Sequence, residues 1–455
     1  MGVSARASYN YDSRFFAEFN FGYNGSEKFA KENRFGFFPS AGFGWIISNE
    51  DFFEKNLPSV NLFKLRYTYG LVGNDGISGP EDRFFYLSEV NLNNGGTGYN
   101  WGINYNNYYN GYNINRYDNE SVTWEVAEKA NYGLEIGLFN KLTVLAEYFE
   151  EHRKNIYMER QYIPETMGLT TSINSNIGEV KAKGIDISID YNHAFSGDFY
   201  ITGRGNFTYS TNEILVNGEP EYQNQNLSRI GQPINQQWGY IAERLFIDEE
   251  DIANSPEQFN GFGSTNTYLP GDIKYKDVNQ DGVINQLDQA PIGKPYVPEI
   301  VYGFGFSAGY KAFDFSIFMQ GAARTSFLIE PDKVSPFVNE RNALDIIANN
   351  YWSENNPDPN AFWPRLSVSP IENNEKPSTW WLRDGDFLRL KSIEVGYTFP
   401  ETETGFFSNL NARVYCTGLN LLNFAKFDLW DPEMAGNGLG YPPQRVLNLG
   451  VQLKF

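Results

Sequence analysis

Polar and apolar residues alternate along much of the chain. In Val3-Ser4-Ala5-Arg6-Ala7-Ser8-Tyr9-Asn10-Tyr11 every odd position is apolar or aromatic, and the even positions are Ser, Arg, Ser and Asn. A period of two sends successive side chains to opposite faces, the mark of a strand with one apolar and one polar side. Asp12-Ser13-Arg14 reads as a short turn. Phe15, Ala17, Phe19, Phe21 and Tyr23 then resume the pattern, so the two runs form a hairpin. The alternation returns over 63–71, 132–138, 185–191, 199–209, 302–310, 313–319, 387–400, 410–420 and 447–455.

About 14 such segments are read, of about 9–14 residues each, close to what a tilted membrane-crossing strand needs. Strands of soluble proteins average about 5–6 residues. The faces leave two readings open: a soluble protein with its apolar faces in a shared core, or a membrane barrel with its apolar face in lipid and its polar face on a wet lumen. Length favours the barrel. So do the aromatics at segment ends, Tyr9, Tyr11, Phe15 and Phe16 at one place and Tyr397 and Phe399 at another, which suit interfacial girdles. Connections at 12–14 and 311–312 are tight, whereas 73–124, 220–298 and 325–386 are long loops of extracellular type. Short turns on one side and long loops on the other are usual in outer-membrane barrels. The expected fold is therefore all-β, an antiparallel transmembrane β-barrel portion. The best helical stretch is 338–351, a short helix within a loop.

Composition narrows the function. The chain has 455 residues, with 37 Phe, 30 Tyr, 9 Trp and 43 Gly, a mix that favours strands, bulges and turns. The formal charge of −20 excludes a nucleic-acid backbone as partner. A single cysteine, Cys416, rules out an intrachain disulfide and a cysteine metal cluster. No run of 18 apolar residues appears, so no transmembrane helix is expected, and residues 1–10 carry no signal-peptide pattern. The mean hydropathy of −0.48 looks soluble, but alternating faces cancel in a barrel.

The sharpest local motif runs from Asp277 to Asp288. Asp277, Asn279 and Asp281 offer side-chain oxygens at positions 1, 3 and 5, and Gly282 stands at the turn. Val283 offers a carbonyl, and Asn285 and Asp288 complete the set. This is the EF-hand loop spacing, an oxygen cage suited to hard Ca²⁺. Position 12 is Asp where the loop ordinarily has Glu, a shorter reach that loosens affinity. The competing reading is an Asp/Asn/Gly-rich surface turn. Residues 99–112, rich in Tyr and Asn, could stack on sugar rings, but are read as a loop without regular structure. Trp380-Trp381 are read as an interfacial anchor in preference to a ligand platform. Catalysis is not expected: nothing like G-x-S-x-G lies near His152 or His193, the two histidines. Gly303 to Gly309 falls inside a strand pattern and is no dinucleotide loop.

A set of segments resembles the SusC/RagA family of TonB-dependent outer-membrane transporters of Bacteroidetes. Residues 34–48, with Pro39 and Trp45, are similar to the family's N-R-x-G-x-F-P-S-x-x-x-G-W-x-x-S strand. Residues 65–74 (LRYTYGLVGN) resemble L-R-x-S-Y-G-x-x-G-N, and 176–184 resemble N-x-G-x-x-x-N-K-G. Gly271-Asp272 leads into the calcium-like loop. Residues 386–393 (DFLRLKSI) look like x-Y-L-R-L-K-N-I, and Val414 to Leu421 and Asp431-Pro432-Glu433 complete the order. Phe455 resembles the terminal aromatic read by the barrel-assembly machinery. The resemblance implies a plugged barrel of roughly 22 strands, driven by the TonB system and capped by a SusD-like surface lipoprotein that captures glycans or peptides. Plug and TonB box are not read in this chain. It corresponds to the C-terminal part of such a barrel, as a fragment, a truncated reading frame or one half of a split gene. The alternative is a soluble secreted β-rich glycan-binding protein.

Overall fold

A computed structural model describes residues 1–79, 82–195, 197–259, 268–400 and 411–454. The alternating runs become thirteen long strands: β1 (Gly2–Tyr11), β2 (Phe15–Gly25), β3 (Phe35–Ile46), β4 (Val60–Asn74), β5 (Glu125–Leu138), β6 (Leu142–Glu159), β7 (Asn174–Phe195), β8 (Phe199–Val216), β9 (Ile300–Tyr310), β10 (Phe313–Ala323), β11 (Phe387–Thr398), β12 (Asn411–Ala425) and β13 (Val446–Lys454). Their hydrogen-bonded order is their chain order. Among the described residues, thirteen long strands thus stand where about fourteen segments are expected from the pattern.

Two compact units share these strands. The first comprises Met1–Asp186, Ser210–Tyr222 and Arg229–Gln232; the second comprises Ile187–Tyr209, Gln223–Ser228 and Pro233–Phe455. In the first, β1 to β6 pair antiparallel with their sequence neighbours. Its hairpins turn tightly at Asp12-Ser13 and at Phe139-Asn140, where all four residues have φ between 52° and 57°. Two consecutive positive φ values give the turn whose twist matches that of the flanking strands. In the second unit β8 to β13 pair antiparallel in the same way.

Register turns the sequence alternation into continuous rows. In the first unit Tyr9, Ala17, Phe43, Tyr67, Tyr132 and Tyr148 lie side by side. The Tyr67 and Tyr132 rings sit 4.8 Å apart, and those of Tyr132 and Tyr148 6.1 Å. In the second unit Ile201, Ala308, Phe315, Val395, Cys416 and Leu449 form such a row. Many of these side chains are exposed, Leu447 by 73% and Leu449 by 80%. Strands β4, β6 and β7 have 15, 18 and 22 residues, more than the 9–11 or so of a membrane crossing. Toward the Glu125 end of β5 the apolar face turns polar. There Lys154 pairs with Glu128 at 2.9 Å, and His152 Nε2 lies 3.1 Å from Glu179 Oε2.

The densest apolar packing lies under the long connections, 75–124, 217–299 and 324–386. In the first unit Phe29, Phe85, Val122 and Trp124 form a small core. In the second a larger one gathers Tyr240, Leu245, Ile273, Tyr275, Trp352, Trp363 and Trp381. The expectation for Trp380-Trp381 is corrected here. Trp381 is buried, its ring lies 5.0 Å from that of Trp363 at a 56° tilt, and it donates its Nε1–H to the Asn374 carbonyl at 2.8 Å; Trp380 packs against the same core. The pair lies in a loop module, directly before the short strand Leu382–Asp384 and outside the thirteen long strands, so it is packing and not an interfacial anchor. The stretch 99–112 is corrected too. Residues Glu89–Trp101 and Asn107–Arg116 form a two-stranded antiparallel hairpin of their own, interrupted by register shifts. Its Gly- and Asn-rich composition hides the strand period from a hydrophobicity reading. The helix expected over 338–351 is broken into a 3₁₀ turn, Val338–Glu340, and a short helix, Asp345–Asn349. Among the described residues no helix is long and apolar enough to cross a membrane, which says nothing of strands.

Candidate functional site

The loop over 277–288 folds around its own backbone amides. The Asp277 carboxylate accepts from Gln280 N at 2.6 Å and Gly282 N at 2.8 Å, the Asn279 Oδ1 from Asp281 N, and the Asp281 Oδ1 from Val283 N. Asp288, fully buried, accepts from Val278 N and Asn285 N, both at 2.8 Å, while Asn285 Oδ1 accepts from Leu287 N. Gly282 has φ +86°, open only to glycine without strain. Val283 pairs with Glu257 through its backbone. The donors are all oxygens, and each carboxylate oxygen keeps lone pairs beyond the amide bonds, so the chemistry of the set fits a hard cation. Asn279 Nδ2 also donates to Asp281 Oδ2 at 2.9 Å, tying these two side chains to each other. No three His, Cys, Asp or Glu side chains converge as a metal group among the described residues.

The polar face of the sheet carries crossed ion pairs. In the first unit Arg66 meets Glu147, Lys64 meets Glu135 at 3.4 Å, and Arg153 bridges Glu125 at 2.8 Å and Glu151 at 2.7 Å. In the second, Arg413 of β12 holds Asp314 of β10 and, at 2.6 Å, Glu394 of β11. Ser307 and Ser316 face each other one row away, beside Thr202 and Arg204 in a shallow polar groove. Such a surface is wetted and hydrogen-bonding, suited to lining an aqueous path.

Several residues of the resembling segments prove to be structural ties. Arg389 is buried and pairs with Asp431 at 2.5 Å and Glu433 at 3.0 Å, clamping the 386–393 segment to the Asp431-Pro432-Glu433 segment. Asn176 accepts from Thr123 N and donates to the Thr123 and Asn155 carbonyls. Trp45 Nε1–H donates to Glu50, which also pairs with Arg14. Asp272 is fully buried against Arg365 at 2.8 Å and Asn374; burial raises its pKa against the pull of Arg365. Asp251 is held well below the usual carboxylate range, chiefly by Arg244 and further by Ile247 N and Lys274. His152 meets Glu179, and His193 packs edge-on to Phe195. Phe455 lies outside the described residues. No motif marks one further feature, a polar cavity in the first unit between Phe85, Arg116, Asn119, Tyr157, Arg160 and Ser175. Its walls come from four separate stretches of chain, 85–89, 115–122, 157–160 and 171–175, and no spacing rule reaches across them.

No protein-family model matches the chain. The TonB-dependent receptor P3 of Formosa agariphila is 26% identical over 482 residues, covering 100% of this chain and 45% of that protein. The TonB-dependent receptor SusC of Bacteroides thetaiotaomicron is 26% identical, covering 99% of this chain and 43% of its own. In fold the chain is similar to the RagAB peptide importer in its open-open state, with a TM-score of 0.74, 21% identity, and coverage of 100% of this chain and 46% of the solved one. It spans a little under half the length of the curated relatives it matches. Along its whole length the chain thus has the sequence pattern and the fold of the barrel portion of a SusC/RagA-type TonB-dependent receptor.

Proposed function

We propose that this chain is the barrel region of a TonB-dependent nutrient importer of the outer membrane, taking up glycan or peptide with a SusD-like surface lipoprotein. The observation that carries the reading is the full-length similarity to TonB-dependent receptors, SusC among them, joined to a sheet with one lipid-suited face. The work is transport, without covalent change to the ligand. Ligand meets the polar face and the long connections. Energy enters through the TonB system, by way of a plug of the kind the family carries. A soluble secreted glycan-binding protein is disfavoured: a row of exposed Leu, Val and Phe along several strands is costly in water.

The test is host fractionation with peptide mass spectrometry, together with uptake of labelled glycan and peptide mixtures in cells with and without this gene and with and without TonB. Outer-membrane recovery and TonB-dependent uptake are expected. Recovery of the chain in the soluble fraction would sink the reading.

Ca²⁺ at the 277–288 loop belongs to the same proposal, with Asp277, Asn279, Asp281, the Val283 carbonyl, Asn285 and Asp288 as the residues that would hold it. The ion would brace the loop module by neutralising its carboxylates. Thermal unfolding with Ca²⁺ against chelator should separate the native chain and not the Asp277→Asn/Asp281→Asn double variant. An equal midpoint for native protein in both conditions would remove the ion from the account.

A further inference from the structure

The polar cavity of the first unit lies at the base of the 89–116 hairpin and has a volume of about 440 Å³, in the range of pockets that enclose a small ligand. Two guanidiniums line it, and they differ. Arg116 is already satisfied: it stacks 4.2 Å over the Phe85 ring, pairs with Glu89 at 3.5 Å, and donates through Nε to the Leu87 carbonyl. Arg160 is not. Its side chain has one hydrogen bond, Nε to Ser175 Oγ at 2.5 Å, and no carboxylate pairs with it among the described residues. Its place is fixed, because Arg160 N donates to the Ile173 carbonyl at 2.9 Å and Gln161 N to the Gly218 carbonyl at 2.7 Å.

The rest of the wall sets the chemistry of the partner. Tyr117, Ser121, Thr171 and Ser172 place hydroxyls on the wall; those of Tyr117, Ser121 and Thr171 already bond to Thr170, Asn119 and the Asn115 carbonyl, and keep acceptor lone pairs for a ligand's hydroxyls. Among the apolar liners Phe85 and Val122 are buried in the core beneath, and Tyr157 and Ile173 are half-buried, which leaves little apolar surface for a peptide's hydrocarbon side chain. The lining carries Glu89 and Asp118 beside the two arginines, but Glu89 is taken up by Arg116, and the Arg160 guanidinium, a fork of planar N–H donors with no ion pair of its own among the described residues, suits a single oxyanion. Asp118, exposed at the rim, repels a polyanion but tolerates a single charge held across the cavity at Arg160.

We propose that this cavity binds one acidic sugar unit, a saccharide ring bearing a carboxylate or sulfate, with the oxyanion on Arg160 and the ring hydroxyls on the surrounding side chains. The inference rests on the importer reading and narrows its ligand from glycan or peptide to acidic glycan.

The test is calorimetric titration of the detergent-solubilised receptor with a tetragalacturonate, a sulfated galactan tetrasaccharide, the neutral galactan tetrasaccharide, and a Glu-rich tetrapeptide. The expected result is binding of one or both acidic sugars and much weaker binding of the neutral one. Arg160→Gln should lower acidic-sugar affinity about 10- to 100-fold. Arg160→Lys, which keeps the charge and loses the fork, should fall between. Carboxylate and sulfate are told apart by which acidic probe binds. Unchanged thermal midpoints in both variants show that the loss is not unfolding; if the midpoints drop, the fall-off with salt of native binding to acidic against neutral sugar decides instead. Equal binding of neutral and acidic sugars, preference for the peptide, or affinity insensitive to Arg160 in folded variants would overturn the proposal. TonB-dependent uptake of a neutral glycan with no acidic-sugar binding would sink the cavity and spare the importer. Acidic-sugar binding without any uptake would do the reverse.

Discussion

Leu449 and Asn448 are adjacent on β13 and point to opposite faces of the sheet, so one substitution at each asks which face meets lipid. Leu449 ends the row that begins at Ile201 and is 80% exposed. Asn448 lies opposite Thr417, whose hydroxyl it approaches at 3.4 Å. In lipid, an arginine costs about 2–4 kcal/mol at the bilayer midplane and less near its edges. Losing the leucine adds up to about 2 kcal/mol, four-fifths of the 1.5–3 kcal/mol or so for moving a whole side chain out of water. Leu449→Arg should therefore cost roughly 3–6 kcal/mol if the position lies deep and roughly 2 if it lies near an edge. In water the same change touches little and should fall within about 0.5 kcal/mol of zero. Asn448→Arg, on the wet face, should fall within about 1 kcal/mol in either setting. The assay is urea-dependent folding of the receptor into phosphatidylcholine vesicles, read as the heat-modifiable band on an unheated gel. Equal midpoints for Leu449→Arg and native protein, or a larger loss from Asn448→Arg, would refute the assignment of faces.

Three further outcomes follow from the loop module of the second unit. Trp381→Ala should cost about 3–5 kcal/mol of local stability, by opening a cavity beside Trp363 and orphaning the Asn374 carbonyl; it should appear as accelerated hydrogen exchange over 240–247 and 272–275. Asp251 has a folded-state pKa below its unfolded value of about 3.9, so its contribution is complete above about pH 4 and is lost as the pH falls below that. Asp251→Asn should thus raise exchange at pH 7 by the equivalent of about 1–3 kcal/mol and flatten the module's acid sensitivity below pH 4. Gly271 has φ +87°, and a Cβ there would sit 2.2 Å from the Trp352 ring. Gly271→Ala should destabilise the module by more than about 1 kcal/mol, checked by limited proteolysis; native-like resistance would contradict the packing.

The strands were legible because their signal is local. A side chain's face follows from odd or even position alone, so Val3 to Tyr11 or Leu447 to Leu453 declare a strand without knowledge of their partners. The 99–112 stretch was not legible as a strand, since its Asn, Gly and Tyr carry no contrast between faces. The Trp380-Trp381 pair was read as an interfacial anchor and proved to be core, because exposure is decided by what the chain brings back from far away: Trp363, Trp352 and Tyr275. The spacing from Asp277 to Asp288 was plain in the sequence. That Asp288 is the buried acceptor closing the loop was not.

By itself, then, the sequence determined the antiparallel β class, the long crossings with tight and long connections, the two-faced character of each strand, and the resemblance to SusC/RagA receptors. These are properties of nearest neighbours and of motif order. Tertiary structure alone decided that Arg389 clamps Asp431 and Glu433 across more than 40 residues, that the densest core lies under the connections, and that Arg160 stands in a cavity with no ion pair of its own among the described residues. Each depends on side chains distant in sequence arriving at one place, where burial strengthens every charge interaction and an unmatched group can no longer be met by water.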